Sequence, residues 1–191
     1  MSGHGFHVHG PHDHELEHAA QHKPDGIAGK LAVATAILAT IGALFSYQGG
    51  ATQANAGLFK NDAAIKKTEA SNQWNFYQSK SSKQNLAELG ANLVNDERKA
   101  KFEAEVDRYK REKTDIKEKA EALERESKDF DEKSAQQMHQ HHRWAQATTL
   151  LQISIAMAAI ALLTKRRWLI YGTLALGAAG IAVGVMAYMH L

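Results

Sequence analysis

The sequence predicts an all-α integral membrane protein with three transmembrane helices and a long antiparallel, coiled-coil-like helical hairpin between the first and second spans. Three observations predict it: three apolar segments of bilayer-crossing length, a densely charged segment of seven-residue periodicity after the first of them, and no proline after Pro24. Of 191 residues, 44% are apolar and 23% are charged. Cysteine is absent from the sequence, which excludes disulfide scaffolds, cysteine zinc sites and thiol nucleophiles.

The predicted transmembrane helices are 27–47, 145–163 and 168–189. At about 1.5 Å per residue, some 20 residues cross roughly 30 Å of hydrocarbon. A helix also satisfies its own backbone amides in lipid. Lys30, one turn inside the first span, can extend its ammonium group to the interface. A cleaved signal peptide is the alternative for 27–47, with Ala54-Asn55-Ala56 as the cleavage site, but the region before this segment is long and not clearly basic.

The short basic turn at 164–167 predicts the orientation in the membrane. It contains Lys165, Arg166 and Arg167, and short positive loops stay cytoplasmic. The N-terminus is then cytoplasmic, and the segment 48–144 and the C-terminus are on the opposite side of the membrane. Aromatic residues are expected at the outer interface (Tyr47, Trp144, Tyr188) and at the inner one (Trp168, Tyr171).

The segment 48–144 is predicted to be a charged extramembrane helical hairpin with its turn near 90–96. Gln48–Gly57, which holds three glycines, is either a loop or a weak helix, and the second arm is either continuous with the second span or broken near the membrane. Acid-to-base pairs four residues apart favour a long helix. The pairs are Glu97/Lys101, Asp107/Arg111, Asp115/Lys119, Glu121/Arg125, Glu124/Lys128 and Asp129/Lys133.

A seven-residue repeat of large side chains in the second arm predicts the contact between the arms. Smaller residues such as Ala120 and Ser127 follow four positions later. The repeat consists of Phe102, Tyr109, Ile116, Leu123 and Phe130. The expected partner is the stripe Ile65, Phe76, Leu86, Leu89 and Leu93 of the first arm.

Two further groups are candidate contact residues. Trp74, Phe76 and Tyr77 are predicted to lie in an oligomer or hairpin contact rather than a ligand site, since aromatic anchors with amide neighbours are common at interfaces. Small residues let membrane helices approach closely, so the third span is expected to pack through its glycines. These are Gly177, Gly180 and Gly184.

The histidines are the main candidates for metal binding in this sequence. The tail 1–25 holds seven candidate metal ligands, which suit opportunistic binding of Zn, Ni or Cu, although no cofactor is required. They are His4, His7, His9, His12, His14, His18 and His22. His139 and His142 share a helical face and form a weaker candidate; pH sensing or lipid-headgroup contact are the alternatives for them.

These features predict a structural or interaction protein rather than an enzyme. No nucleophile–base set or H-E-x-x-H motif can be assembled, and a net charge of +2 does not indicate nucleic-acid binding. The leading hypothesis is a homo-oligomeric scaffold or interaction protein in the lipid bilayer, with an unidentified protein partner left open. The alternative is a channel or transport component, linked to divalent metal through the histidine-rich tail. Its candidate pore-lining residues are Thr148, Thr149, Gln152 and Ser154.

The order of these segments resembles a bacterial protein family. SNQWNFYQSKSSKQNLAEL follows the first span, and a charged helix, a second span, the basic KRRW turn and a glycine-rich last span come after it. This pattern, from about Asp25 to Leu191, resembles the domain of unknown function 4337 family. The resemblance implies a bacterial origin and three spans, but no activity or catalytic residues. With a bacterial origin the expected location is the inner membrane, with the segment 48–144 and the C-terminus in the periplasm.

Overall fold

The computed structural model describes residues 26–189, so the histidine-rich tail 1–25 lies outside the described residues. Three helices account for nearly all of 26–189: α1 (Ile27–Leu93), α2 (Asp96–Thr164) and α3 (Arg167–Tyr188). No strand occurs in this part of the chain. The helices α1 and α2 form a hairpin, and the prediction of an all-α fold is confirmed for residues 26–189. Each helix contains a window long and apolar enough to cross a membrane.

Both long helices are continuous. Gln48–Gly57 belongs to α1, and α2 passes without interruption from the charged segment into the apolar one. Glycine weakens a helix by roughly 0.5–1 kcal/mol relative to alanine, but packing can override that cost. At Gly49 the packing is visible, because the residue is buried and an added Cβ would lie 3.3 Å from Cβ of Trp144.

Two short links join the helices. Val94 and Asn95 separate α1 from α2, and the first turn of α2 carries Asp96 and Glu97, whose charges suit a helix N-terminus. Lys165 and Arg166 separate α2 from α3. Lys165 adopts a left-handed backbone conformation with φ of 51°, a geometry that stops a helix and is most often occupied by glycine.

Residues 54–137 form one compact unit, built from the adjoining arms of α1 and α2. On α1 the buried residues Ala56, Ala63 and Ala70 recur every seven positions. The facing arm buries the larger side chains of Ile116, a member of the predicted repeat, and Val106, which lies outside the repeat. We call these facing surfaces the hairpin seam.

The predicted partner stripe on α1 was wrong. All five of its residues are exposed: Ile65, Phe76, Leu86, Leu89 and Leu93. The physical reason is that α2 already supplies the large side chains of the seam, so that α1 can fill its half with alanine and let the two backbones approach closely. These five large apolar residues of α1 are therefore left on the surface, whereas Phe59 of α1 does contact α2.

The other compact unit comprises the described residues 26–53 and 138–189. One apolar cluster joins all three helices through Leu31 of α1, Ala158 and Ala161 of α2, and Leu169 of α3. Fully buried residues on α2 recur at alternating three- and four-residue spacing, which is the spacing of one helical face. They are Ala147, Leu151, Ser154, Ala158 and Ala161.

Candidate interaction surface

Side-chain-to-backbone hydrogen bonds connect the two helices across the hairpin seam. The hydroxyl groups of Ser127 and Ser134 donate to the carbonyl oxygens of Ala63 and Ala56, each over 2.9 Å. Both donors and both acceptors are seven residues apart, so the antiparallel register repeats from one pair to the next. Such bonds form only where the backbone of α1 lies within reach of a serine side chain, and alanines on α1 make that approach possible.

Replacing Ser127 with alanine is expected to destabilise the hairpin by about 1 kcal/mol, because the Ala63 carbonyl loses its inter-helical donor in a buried environment. Chemical denaturation of the purified protein would measure the change. Thr114→Ala is the matched control, since its exposed hydroxyl bonds only to Lys110 of its own helix. Equal stabilities of the two variants would contradict the assigned role of the bond.

Of the aromatic group Trp74, Phe76 and Tyr77, two side chains lie at the seam and one lies on the surface. Trp74 Nε1–H donates to Glu124 Oε1 over 3.2 Å, and the Trp74 ring meets that of Tyr77 edge-on at 5.7 Å. Tyr77 also lies under the ammonium group of Lys113, 5.1 Å from its ring centre. Phe76 points outward and is 56% exposed. Two of the three aromatics thus contact the partner arm, and the third remains on the surface.

The repeated large residues of α2 are buried to different extents. Ile116 is buried, and the other four are half-buried. Phe130 stacks on Phe59 with ring centres 6.3 Å apart. The Phe102 ring covers Gly90, where an added Cβ would lie 2.8 Å from the ring. The four half-buried residues are Phe102, Tyr109, Leu123 and Phe130.

Ion pairs between the arms border the seam, and sequence spacing had not identified them. Of the six expected pairs four residues apart, Asp129/Lys133 forms, at 2.6 Å, and the other five do not form within the described part of the chain. Several cations and carboxylates face the other arm instead. The inter-helical pairs are Lys60–Asp131, Lys66–Glu126, Lys67–Glu124 and Lys80–Glu112. Pairs that solvent still reaches contribute little stability, so these pairs border the interface rather than hold it together.

The Lys80–Glu112 ion pair changes the pKa of the Glu112 carboxyl group. A 2.6 Å contact between Lys80 Nζ and Glu112 Oε2 lowers the pKa of Glu112, with Arg108 and Lys83 adding smaller attraction. Since the pKa is lower in the folded chain, the pair stabilises the hairpin above the pKa that Glu112 has when unfolded. That contribution is lost as the pH falls through the folded value.

Lys80→Met is expected to raise the pKa of Glu112 towards its ordinary value, because the strongest contact of the carboxylate is removed. Carboxyl-carbon NMR titration would measure it. Lys83→Met is the control and should raise this pKa by less, since Lys83 makes the smallest of the attractive contributions. An unchanged midpoint in Lys80→Met would contradict the assignment.

All three predicted glycines of α3 are buried against other helices in the unit formed by 26–53 and 138–189. A Cβ at Gly177 would lie 3.0 Å from Leu38, and one at Gly180 would lie 2.9 Å from Leu151. At Gly184 the ring of Phe45 occupies the space where a Cβ would stand. The glycines therefore act as contact surfaces for larger side chains of α1 and α2.

Buried hydroxyl groups in the apolar segments have partners. Ser154 donates to the Thr173 carbonyl over 2.7 Å, and Thr173 and Thr35 each donate to the carbonyl four residues earlier in their own helices. Gln152 differs, because it lies on the exposed side of α2, and its carboxamide forms no hydrogen bond within the described residues. Ser154 is consequently a packing residue, while Gln152 remains available to a partner.

The second histidine group does not converge on a metal position. Within residues 26–189 no three histidine, aspartate or glutamate side chains come together as a metal site, and His139 and His142 are both exposed. His141 belongs to the same group but was not a candidate ligand, and it has a specific contact. Its Nδ1 lies 2.8 Å from the Gly49 carbonyl oxygen, which can only accept, so Nδ1 carries the proton.

His141 lines a groove of about 330 Å³ together with Phe45, Gly49 and Trp144. Trp144, which the sequence predicts at the outer membrane interface, is buried, with its ring 5.2 Å from that of Phe45. No spacing in the sequence pointed to this arrangement, although the unusual placement of Gly49 in a long helix could have suggested a close neighbour. The seven histidines of the tail lie outside the described residues.

The remaining predicted site is the basic turn. Lys165, Arg166 and Arg167 are all exposed, and none forms an ion pair within the described residues. Arg167 begins α3 rather than lying in the link. Three cations thus stand free at the junction of two apolar helical segments.

Comparison with known proteins identifies a family. The family model described as a domain of unknown function (DUF4337) matches residues 27–190. No curated protein and no solved structure matches the chain.

Proposed function

Because the chain belongs to the DUF4337 family, whose function is unknown, we propose a function from its own residues: it is a homo-oligomeric structural or interaction protein of the bacterial inner membrane with a periplasmic helical hairpin. The proposal is carried by the large apolar side chains that α1 leaves exposed on the hairpin. A second copy of the chain is the partner that would cover them.

Several observations support the membrane anchor. All three helices contain bilayer-length apolar windows. Of the five aromatics expected at the interfaces, four are exposed, as a ring facing lipid headgroups must be. These are Tyr47, Trp168, Tyr171 and Tyr188. The unpaired Lys165, Arg166 and Arg167 are suited to anionic lipids of the cytoplasmic leaflet, which is the basis for assigning the hairpin to the periplasm.

Exposed apolar residues on the hairpin support association. Leu86, Leu89 and Leu93 are more than half exposed, at the end of α1 furthest in sequence from its apolar window. Lipid would not cover them if the hairpin projects from the bilayer. Contiguous exposed apolar surface on a soluble segment marks a contact with another protein.

The test is the mass of the protein in detergent or in lipid nanodiscs, measured by light scattering or native mass spectrometry. The proposal predicts a protein mass of at least two copies of the 21.0 kDa chain, stable on dilution. A mass of one copy at every concentration would overturn it.

As a second candidate we propose a channel or transport component, linked to divalent metal through the histidine-rich tail. The observation that favours it is the outward-facing carboxamide of Gln152, which symmetry could bring together around an axis. Liposomes loaded with a divalent-metal indicator would test it. A flux that Gln152→Leu abolishes would support a pore, and no flux above empty liposomes would exclude it.

A further inference from the structure

One side of α1 in the hairpin carries no charge. Counting Ala56, Ala63 and Ala70 as the first position of each seven-residue repeat, the second, third and sixth positions lie opposite the seam. Between residues 57 and 93 all seventeen residues at these positions are exposed and none is charged. We call them the neutral face. They are Gly57, Leu58, Asn61, Ala64, Ile65, Thr68, Ser71, Asn72, Asn75, Gln78, Ser79, Ser82, Asn85, Leu86, Leu89, Asn92 and Leu93.

The neutral face is not the ordinary outer surface of this hairpin. The eight charged residues of the same stretch of α1 all fall at the other positions. On α2 the corresponding repeat begins at Val106, Lys113, Ala120, Ser127 and Ser134. Its second, third and sixth positions between 107 and 136 number fourteen, and ten of them are charged. Both helices belong to the same compact unit, and twelve of the fourteen α2 positions are exposed like the neutral face, so solvation alone does not explain why only the neutral face lacks charge.

We propose that the neutral face packs against the neutral face of a second copy, with the two α1 helices parallel and in register. This inference rests on the proposed function, because copies inserted in one membrane with the same orientation present parallel helices. It adds the surface through which they meet, and it leaves the charged face of α2 on the outside of the assembly.

The chemistry of the neutral face suits contact with itself. Interface cores are depleted of Lys, Glu and Asp, and a charged face meeting its own copy would set like charges against each other. Leu58 and Ile65 provide apolar contact at one end, and Leu86, Leu89 and Leu93 at the other. The middle carries hydroxyl and carboxamide groups, which both donate and accept and can therefore pair with identical groups.

The size of the face is sufficient for a specific dimer. Residues 57–93 span about 55 Å at about 1.5 Å per residue, and a helix is roughly 12 Å wide with its side chains. Two such faces would bury about 1,300 Å² in total, which falls within the roughly 1,200–2,000 Å² of stable protein interfaces.

Cysteine cross-linking of the full-length protein in membranes tests the proposal directly, because the natural sequence has no cysteine to interfere. Asn75→Cys places a thiol at the centre of the neutral face. Asp115→Cys is the matched control on the outward face of α2, at an exposed position in the same unit. Under oxidation by copper phenanthroline we expect at least about tenfold more disulfide-linked dimer from Asn75→Cys, since a disulfide needs Cβ atoms roughly 3.5–4.5 Å apart.

A second pair of variants tests the direction. In the parallel arrangement Thr68→Cys of one copy cross-links to Thr68→Cys of the other. In an antiparallel arrangement centred on Asn75, it would cross-link instead to Ser82→Cys when the two variants are co-expressed. A predominant link between Thr68→Cys and Ser82→Cys would overturn the parallel register.

Association without cross-linking provides an independent readout. Asn75→Glu would bring two like charges together, and we expect it to weaken self-association at least about tenfold at low salt. Thr114→Glu adds the same charge to the exposed surface of α2 and should leave association unchanged. Because both positions are exposed, folding of the hairpin, measured by hydrogen exchange, should be the same in both variants.

Failure of this inference is distinguishable from failure of the proposed function. An oligomeric mass with no dimer from Asn75→Cys or Thr68→Cys would overturn the neutral-face contact alone. A single-copy mass would overturn both. Cross-links only to other proteins would show that a different partner covers the face and would likewise overturn the contact.

Discussion

Ala70→Leu is expected to open the hairpin seam and destabilise the unit 54–137 by about 1–3 kcal/mol. Ala70 and Ala120 are both completely buried, and the neighbouring serine bonds require the two backbones to stay close. Three added carbon atoms have no space there, so either the helices separate or the Ser127 and Ser134 hydroxyl groups lose the carbonyl oxygens that they reach over 2.9 Å.

Hydrogen exchange followed by mass spectrometry would measure this effect peptide by peptide. Protection should fall across 54–137, on both arms of the hairpin. Ala104→Leu is the control, because Ala104 is exposed on α2 and leucine is a good helix former. If Ala70→Leu kept the protection of the unmodified chain, the close approach of α1 and α2 would be wrong.

Gly184→Leu is expected to have a comparable effect on the unit of 26–53 and 138–189. The Phe45 ring lies where a side chain at 184 would begin, and Phe45 in turn packs on Trp144. Accommodating leucine requires displacing the ring or moving α3 away. Either costs about 1–3 kcal/mol, or roughly 2–4 °C in melting temperature for each kcal/mol in a chain of this size.

The melting temperature would be read as the temperature at which half of the detergent-solubilised protein still elutes as a single peak in size-exclusion chromatography. Gly50→Leu is the control, because nothing lies within 4 Å of an added Cβ at that position. A Gly184→Leu protein as stable as Gly50→Leu would contradict the packing of α3 against Phe45.

The sequence predicted helix content better than it predicted which faces of the helices meet. Hydropathy and the absence of proline after Pro24 were enough for three helices, since both act locally. The repeat from Phe102 to Phe130 indicated a buried side of α2, and its five residues are buried or half-buried.

The seam of α1 was assigned to the wrong face for a physical reason. Hydrophobicity favoured the large residues Ile65, Leu86 and Leu89, whereas the helix buries Ala56, Ala63 and Ala70. Alanine periodicity is a weak hydrophobic signal but a strong steric one, since close backbone approach needs small side chains. The serine bonds to α1 carbonyl oxygens depend on that approach and have no signature in sequence spacing alone.

The ion pairs and the His141 contact show a similar limit. Spacing along one helix predicts neighbours on that helix, but Lys66, Lys67 and Lys80 each pair with carboxylates of α2. Likewise, His141 finds its acceptor in Gly49, far away in sequence. Contacts between helices depend on register, which follows from packing rather than from local charge patterns.

Cysteine accessibility in intact spheroplasts tests the central claim, a periplasmic hairpin and a cytoplasmic basic turn, most directly. Glu118→Cys places a thiol on the exposed face of α2. A cysteine at the nearby position of Ala120 would not serve, because Ala120 is buried in the seam and a reagent could not reach it from either side of the membrane. Ser2→Cys reports the predicted cytoplasmic side. We predict that a membrane-impermeant maleimide labels Glu118→Cys equally in intact and lysed spheroplasts, and Ser2→Cys only after lysis. Labelling of Glu118→Cys only after lysis would contradict the account.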